Sequence, residues 1–74
     1  MTNRREIQLM KRRDFEQHLE HHRCVFEREG ARHTVFRNAG TGKRSTVPRH
    51  TELKKGLVVR ICRDLDIPSS FKGD

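Results

Sequence analysis

Residues 29–38 read EGARHTVFRN, a glycine turn followed by a lone histidine at the head of a short β-prone run. Histidine changes protonation near neutral pH, so it can take a proton from a hydroxyl in the course of a reaction. His33 has Arg32 beside it and Arg37 four residues on. Among guanidinium groups the hydroxyl to deprotonate is the 2′-hydroxyl of RNA; the bland alternative is that His33 only packs. Strand alternation puts Arg32, Thr34 and Phe36 on one face and His33, Val35 and Arg37 on the other. With Phe36 in the core, His33 points outward beside Arg37 and across from the strand carrying Arg44. Val35 competes with Phe36 for the buried side, so both phases stay open at this level.

Downstream, KRSTVPRHTELKK gathers Lys43, Arg44, Arg49, His50, Lys54 and Lys55 within thirteen residues. A charge run usually marks a solvated face. This one flanks a strand end and a helix start, where backbone N–H groups also favour phosphate. With four Phe, no Tyr and no Trp, contacts to a nucleic acid fall on its backbone rather than on stacked bases. His50 is a second candidate for proton transfer, although a place just after Pro48 also suits a loop-orienting role.

Two other strings are weaker. GTGKRS is not a phosphate-binding loop, because that motif requires glycine where Arg37 stands and Ser or Thr where Arg44 stands. HLEHHRC holds His18, His21, His22 and Cys24, of which His18 and His22 lie one helical turn apart. Such a pair can chelate a metal, but no second ligand pair exists in the chain. We therefore read these rings as extensions of a thin apolar face or as lying in solvent, and expect no metal and no cofactor.

The elements that must position these residues follow from periodicity. A first helix is predicted from about Met10 to His22, with Phe15, His18, Leu19 and His22 on one side. Three strands follow at 24–29, 32–37 and 43–48, joined by connections too short for anything but antiparallel pairing. A second helix runs from about Gly56, with Leu57, Val58, Ile61, Cys62 and Leu65 on one face and Pro68 beyond its end. The expected fold is α+β in two layers: αβββα, a three-stranded antiparallel sheet with two helices on one face. We divide the chain into a loose extension at 1–9, one domain at 10–68 and a tail at 69–74, with Met10 as an alternative start.

Composition limits the function. The chain has 74 residues, 31% hydrophobic and 36% charged, so its core must be small and any chemistry sits on a surface. Its net charge is +7 and its pI about 10.5, which points to a polyanionic partner, nucleic acid before membrane. Residues 24–50 carry six Lys and Arg against two Glu, which is +4 of that +7, and His33 lies among them. Two cysteines, Cys24 and Cys62, make no disulfide framework and read as small buried hydrophobes. No apolar run approaches a membrane span, and MTNRREIQLM lacks a signal-peptide core. The expected compartment is the cytoplasm.

The strings KRRDFEQHLE (11–20), GARH (30–33), TVPRH (46–50), ELKKG (52–56) and ICRDLDIP (61–68), in that order and spacing, resemble the HicA family, the small toxins of HicA–HicB toxin–antitoxin pairs. The resemblance covers about residues 10–68. It implies a fold like the double-stranded-RNA-binding domain and a ribonuclease that cuts mRNA without a metal through one histidine, matched by His33. It also implies a HicB-like antitoxin that covers the site. One residue departs: the serine usual after the motif glycine is Ala31, so any hydroxyl function there is absent. With His33 as general base, Arg32, Arg37, Lys43, Arg44, Arg49, His50, Lys54 and Lys55 are the candidate RNA contacts. A non-catalytic RNA-binding module of the same fold and a small nucleic-acid-packaging protein remain the competing classes.

Overall fold

The computed structural model describes residues 8–71. Element order is β1 (Leu9–Lys11), α1 (Arg12–His21), β2 (Cys24–Glu29), β3 (His33–Asn38), β4 (Arg44–Pro48), β5 (Glu52–Lys54) and α2 (Lys55–Asp64). The expected α+β architecture is present: β2, β3 and β4 form a three-stranded antiparallel sheet in that order. Both helices pack on one of its faces, where Phe15 and Leu19 of α1 meet Phe36, Val47, Val58 and Ile61 in a single apolar cluster.

The sequence reading did not anticipate a second, two-stranded sheet. β1 pairs with β5 antiparallel, Met10 opposite Leu53, and each helix begins directly where one of these strands ends. As a result α1 starts at Arg12 rather than Met10, and α2 starts at Lys55, one residue before the expected Gly56. Neither helix has a side-chain N-cap. The ribbon replaces it: the Arg12 N–H donates to the Thr51 carbonyl at 2.8 Å and the Lys55 N–H to the Gln8 carbonyl at 2.9 Å. Each helix thus has its first amide bonded by the residue just ahead of the strand that leads into the other, which answers the need of exposed N-terminal amides for partners. Leu9, read as part of a loose extension, belongs to this ribbon, and Gln8 just before it caps α2. Residues 1–7 and 72–74 lie outside the described residues.

α1 ends because Arg23 turns into the left-handed region at φ 65°, its N–H bonded to the Glu20 carbonyl at 3.0 Å. The β3–β4 hairpin is organised by Asn38, which is 6% exposed. Its Nδ2 donates to the Leu65 carbonyl at 2.7 Å, and its Oδ1 accepts from the Gly40 N–H at 2.8 Å. One side chain therefore shapes the turn and ties it to the end of α2. Past that helix, Phe71 and Ile67 pack on the margin of the core, so the first residues of the expected tail are part of the fold. Among the described residues no helix is long and apolar enough to cross a membrane.

Cys24 and Cys62 are both free and buried. Burial pushes the Cys62 thiol up to about 11 and also raises that of Cys24. Both should resist a thiol-reactive dye in the native protein and react together once it unfolds, which a dye titration across a urea gradient will show. Phe15, fully buried at the centre of the core, should cost about 3–5 kcal/mol when replaced by Ala. That is a large share of the stability of a domain this size, about 5–10 kcal/mol, so urea denaturation should find the Phe15→Ala midpoint shifted to much lower denaturant.

Candidate functional site

β3 is the central strand, and its burial decides the phase that alternation left open. Thr34, Phe36 and Asn38 face the helices; His33, Val35 and Arg37 face the other way, onto the uncovered side of the sheet. His33 is exposed there, and among the described residues its ring has no hydrogen-bond or ion-pair partner. Directly across from it on β4 is Pro48. That strand is the one carrying Arg44, as expected, with Arg44 itself opposite Arg37. Arg44 lies at the far end from His33 because the 39–43 connection joins the end of β3 to the start of β4.

The turn before His33 is held tightly. The Gly30 N–H donates to the His33 carbonyl at 2.7 Å. A Cβ on Gly30 would lie 3.2 Å from that same carbonyl oxygen, so the glycine of GARH is there for close approach of backbone to backbone. Arg49 closes the turn from outside, its guanidinium donating to the Ala31 carbonyl at 2.8 Å and to Glu29 at 2.7 Å.

Beneath this turn, on the helix side, runs a network centred on Thr34, which is 3% exposed. Arg12 donates through Nη2 to the Thr34 hydroxyl at 3.0 Å and through Nε to the Pro48 carbonyl at 3.1 Å, and it also pairs with Glu16. The Thr34 hydroxyl in turn donates to the Glu29 carboxylate at 3.2 Å. Arg12 thereby links the start of α1 to the two strands that carry His33 and Pro48. Neither Arg12 nor Thr34 was a candidate in the sequence; an arginine at a helix start and a threonine in a strand give no signal of their own.

The expected basic set divides in three. Arg32, Arg49 and His50 are exposed at the His33 end of the sheet, in the two loops that meet there. A cleft of about 480 Å³ opens beside them, lined by Lys11, Arg12, Arg13, Arg49 and His50 among others. Arg37, Lys43 and Arg44 belong to the opposite end, about 13 Å away at four residues of strand rise. There Arg37 and Arg44 both pair with Glu27, at 3.2 and 2.9 Å. Lys54 is exposed on the ribbon, and the Lys55 ammonium lies 6.0 Å from the centre of the Phe71 ring.

The histidine cluster is a local packing feature. His18 Nε2 is 2.8 Å from the Pro68 carbonyl, and the His22 ring contacts those of both His18 and His21. Burial, then the neighbouring His18 and His21 charges, lower the pKa of His22. Among the described residues no group of three or more His, Cys, Asp or Glu could hold a metal ion.

Residues 12–67 match the family model described as HicA toxin of bacterial toxin-antitoxin. The chain belongs to the HicA toxin family. The matched span runs from the first residue of α1 past the end of α2 and includes His33, the Arg12 network and all three strands of the main sheet. β1, the strand that starts the ribbon, lies outside it. No curated protein and no solved structure gives a match. As a HicA family member the protein is a toxin of a toxin–antitoxin system, with a cognate antitoxin as partner.

The two sides of β3 should respond differently to substitution. Thr34→Val keeps the shape but strips Arg12 and Glu29 of a buried partner, and should cost about 1–3 kcal/mol in urea denaturation. His33→Ala, on the open face, should change stability by no more than about 0.5 kcal/mol. The reverse order of effects would mean that His33 is a structural residue.

Proposed function

We propose that this HicA toxin is a metal-independent endoribonuclease that cuts mRNA on the open face of its sheet, with His33 as general base. The observation that carries the reading is the situation of His33: exposed, without a protein partner for its ring among the described residues, and set in a rim of basic loops. In this reading His33 takes the proton of an RNA 2′-hydroxyl and the freed oxygen attacks the adjacent phosphorus. The 5′-oxygen then leaves, protonated by water or by a protonated basic group. The products are a 2′,3′-cyclic phosphate and a 5′-hydroxyl end.

Charge develops on the phosphoryl oxygens in that step, and fixed cations stabilise it best where water is partly excluded. Arg32 and His50 flank His33 and suit that role, while Arg49, held by Glu29 and the Ala31 carbonyl, fixes the turn beside them; Lys54 is a further exposed cation on the ribbon. Such contacts grip phosphate and not base edges, so little sequence preference is expected from the toxin itself. The antitoxin, on this account, neutralises the protein by covering the same face.

Ala31 supports a second reading. With no hydroxyl at the position where the family usually has serine, and with the Ala31 carbonyl taken by Arg49, the chain could bind RNA without cutting it. The two readings separate on one assay. Purified protein incubated with mRNA in excess EDTA should yield fragments ending in 2′,3′-cyclic phosphate or 3′-phosphate. His33→Ala should lower the rate by about 10² to 10⁴ and abolish growth arrest on expression. Tight RNA binding with no fragments from the parent protein would establish the binding-module reading, and loss of cutting on chelation with recovery on added metal would refute the proposed chemistry.

A further inference from the structure

β2 does not alternate cleanly. Cys24 pairs with Asn38, Val25 with Arg37 and Phe26 with Phe36; the register then slips, and Arg28 pairs with Val35 and Glu29 with Thr34. Glu27 is the extra residue. Simple alternation from Cys24 would send Arg28 to the helix side with Phe26. The bulge instead sets it opposite Val35, on the open face, and turns Glu29 to the helix side, where it meets the Thr34 hydroxyl. Bulges re-aim side chains in this way and are frequent beside functional sites.

His33 stands two residues before Val35 on the same face, which makes Arg28 its diagonal cross-strand neighbour. That separation is about 7–8 Å between backbones, well within the reach of an arginine. Val35 is only 6% exposed although it lies outside the helix-side core. Its cross-strand neighbours are Arg28 on β2 and Thr46 on β4, and of the two only arginine has a stem long enough to lie over it.

The bulge also separates the charges. Glu27 binds Arg37 and Arg44. Glu29, on the other side of Arg28 in sequence, is held by Arg49 and Thr34. Both flanking carboxylates are engaged elsewhere, and among the described residues Arg28 makes no ion pair. Of the open-face arginines on the strands, Arg28 is thus both the nearest to His33 and the one left available.

We propose that the Glu27 bulge positions Arg28 to grip the RNA phosphate next to His33, while Glu27 withholds Arg37 and Arg44 from the RNA. This rests on the reading of the open face as the RNA surface. A guanidinium suits the task, since its planar fork meets two phosphate oxygens at once.

RNA affinity measured against salt, in the non-cutting His33→Ala protein with a single-stranded oligonucleotide, decides the proposal. Arg28→Ala should make the log–log slope shallower by about 0.7, the value of one phosphate contact on a single strand. Arg28→Lys should restore the slope, and Arg60→Ala, on the exposed side of α2, should leave it unchanged. Glu27→Gln should steepen it, because two arginines are released. Circular dichroism melts of each variant confirm that the fold is retained. In the cutting protein Arg28→Ala should lower the single-turnover rate about 10²-fold. A slope unaltered by Arg28→Ala overturns the proposal whether or not the parent cuts RNA. A parent that cuts no RNA overturns the nuclease reading alone, because the slope still reports on Arg28.

Discussion

The chain has apolar material for one side of its sheet and no more. With 31% hydrophobic residues, it fills a single cluster between two helices and the inner face of β2, β3 and β4, and the outer face carries mainly polar and charged side chains around Val35. Everything about the site follows from that one-sidedness. A strand in such a sheet must alternate between apolar and polar neighbours, so placing Phe36 inside necessarily places His33 and Arg37 outside. A core too small to enclose a cavity leaves chemistry to this open face, where a long polyanion can lie and a small metabolite finds little purchase.

A one-sided sheet needs its ends secured, and the molecule does this with backbone and with one arginine. The β1–β5 ribbon supplies the first hydrogen bond of both helices and so fixes their starts side by side. Arg12, the residue that follows β1, reaches from α1 to Thr34 and to the Pro48 carbonyl. Its position holds the His33 end of the sheet to the helix layer from behind, leaving the front of that end clear. The one buried member, Thr34, is the costly one to leave without partners.

The architecture was legible because its determinants are local: turn residues bound each strand, and Leu57, Val58, Ile61, Cys62 and Leu65 mark α2 at helical spacing. His33 was legible for the same reason, as a lone histidine one residue out of phase with Phe36. The β1–β5 ribbon was not, since three-residue strands carry no periodicity and their pairing joins residues more than forty positions apart. Nor was the bulge. Cys24, Phe26 and Arg28 fit a regular alternation as they stand, and only the partner strand reveals that Arg28 has changed sides. The basic residues were legible as a total charge but not as a surface. Glu27 sits in sequence far from Arg44 and binds it all the same, which removes two of the expected contacts from the available set.

The central claim is that the His33 imidazole itself moves the proton, and chemical rescue tests it most directly. In His33→Ala the ring is removed from an exposed position, so a small base from solution can occupy its place. Added imidazole should restore RNA cutting to that variant in a saturable manner, with 2′,3′-cyclic phosphate ends, and should leave the parent protein unaffected. A His33→Ala protein that cuts RNA as fast as its parent with no imidazole present would contradict the account.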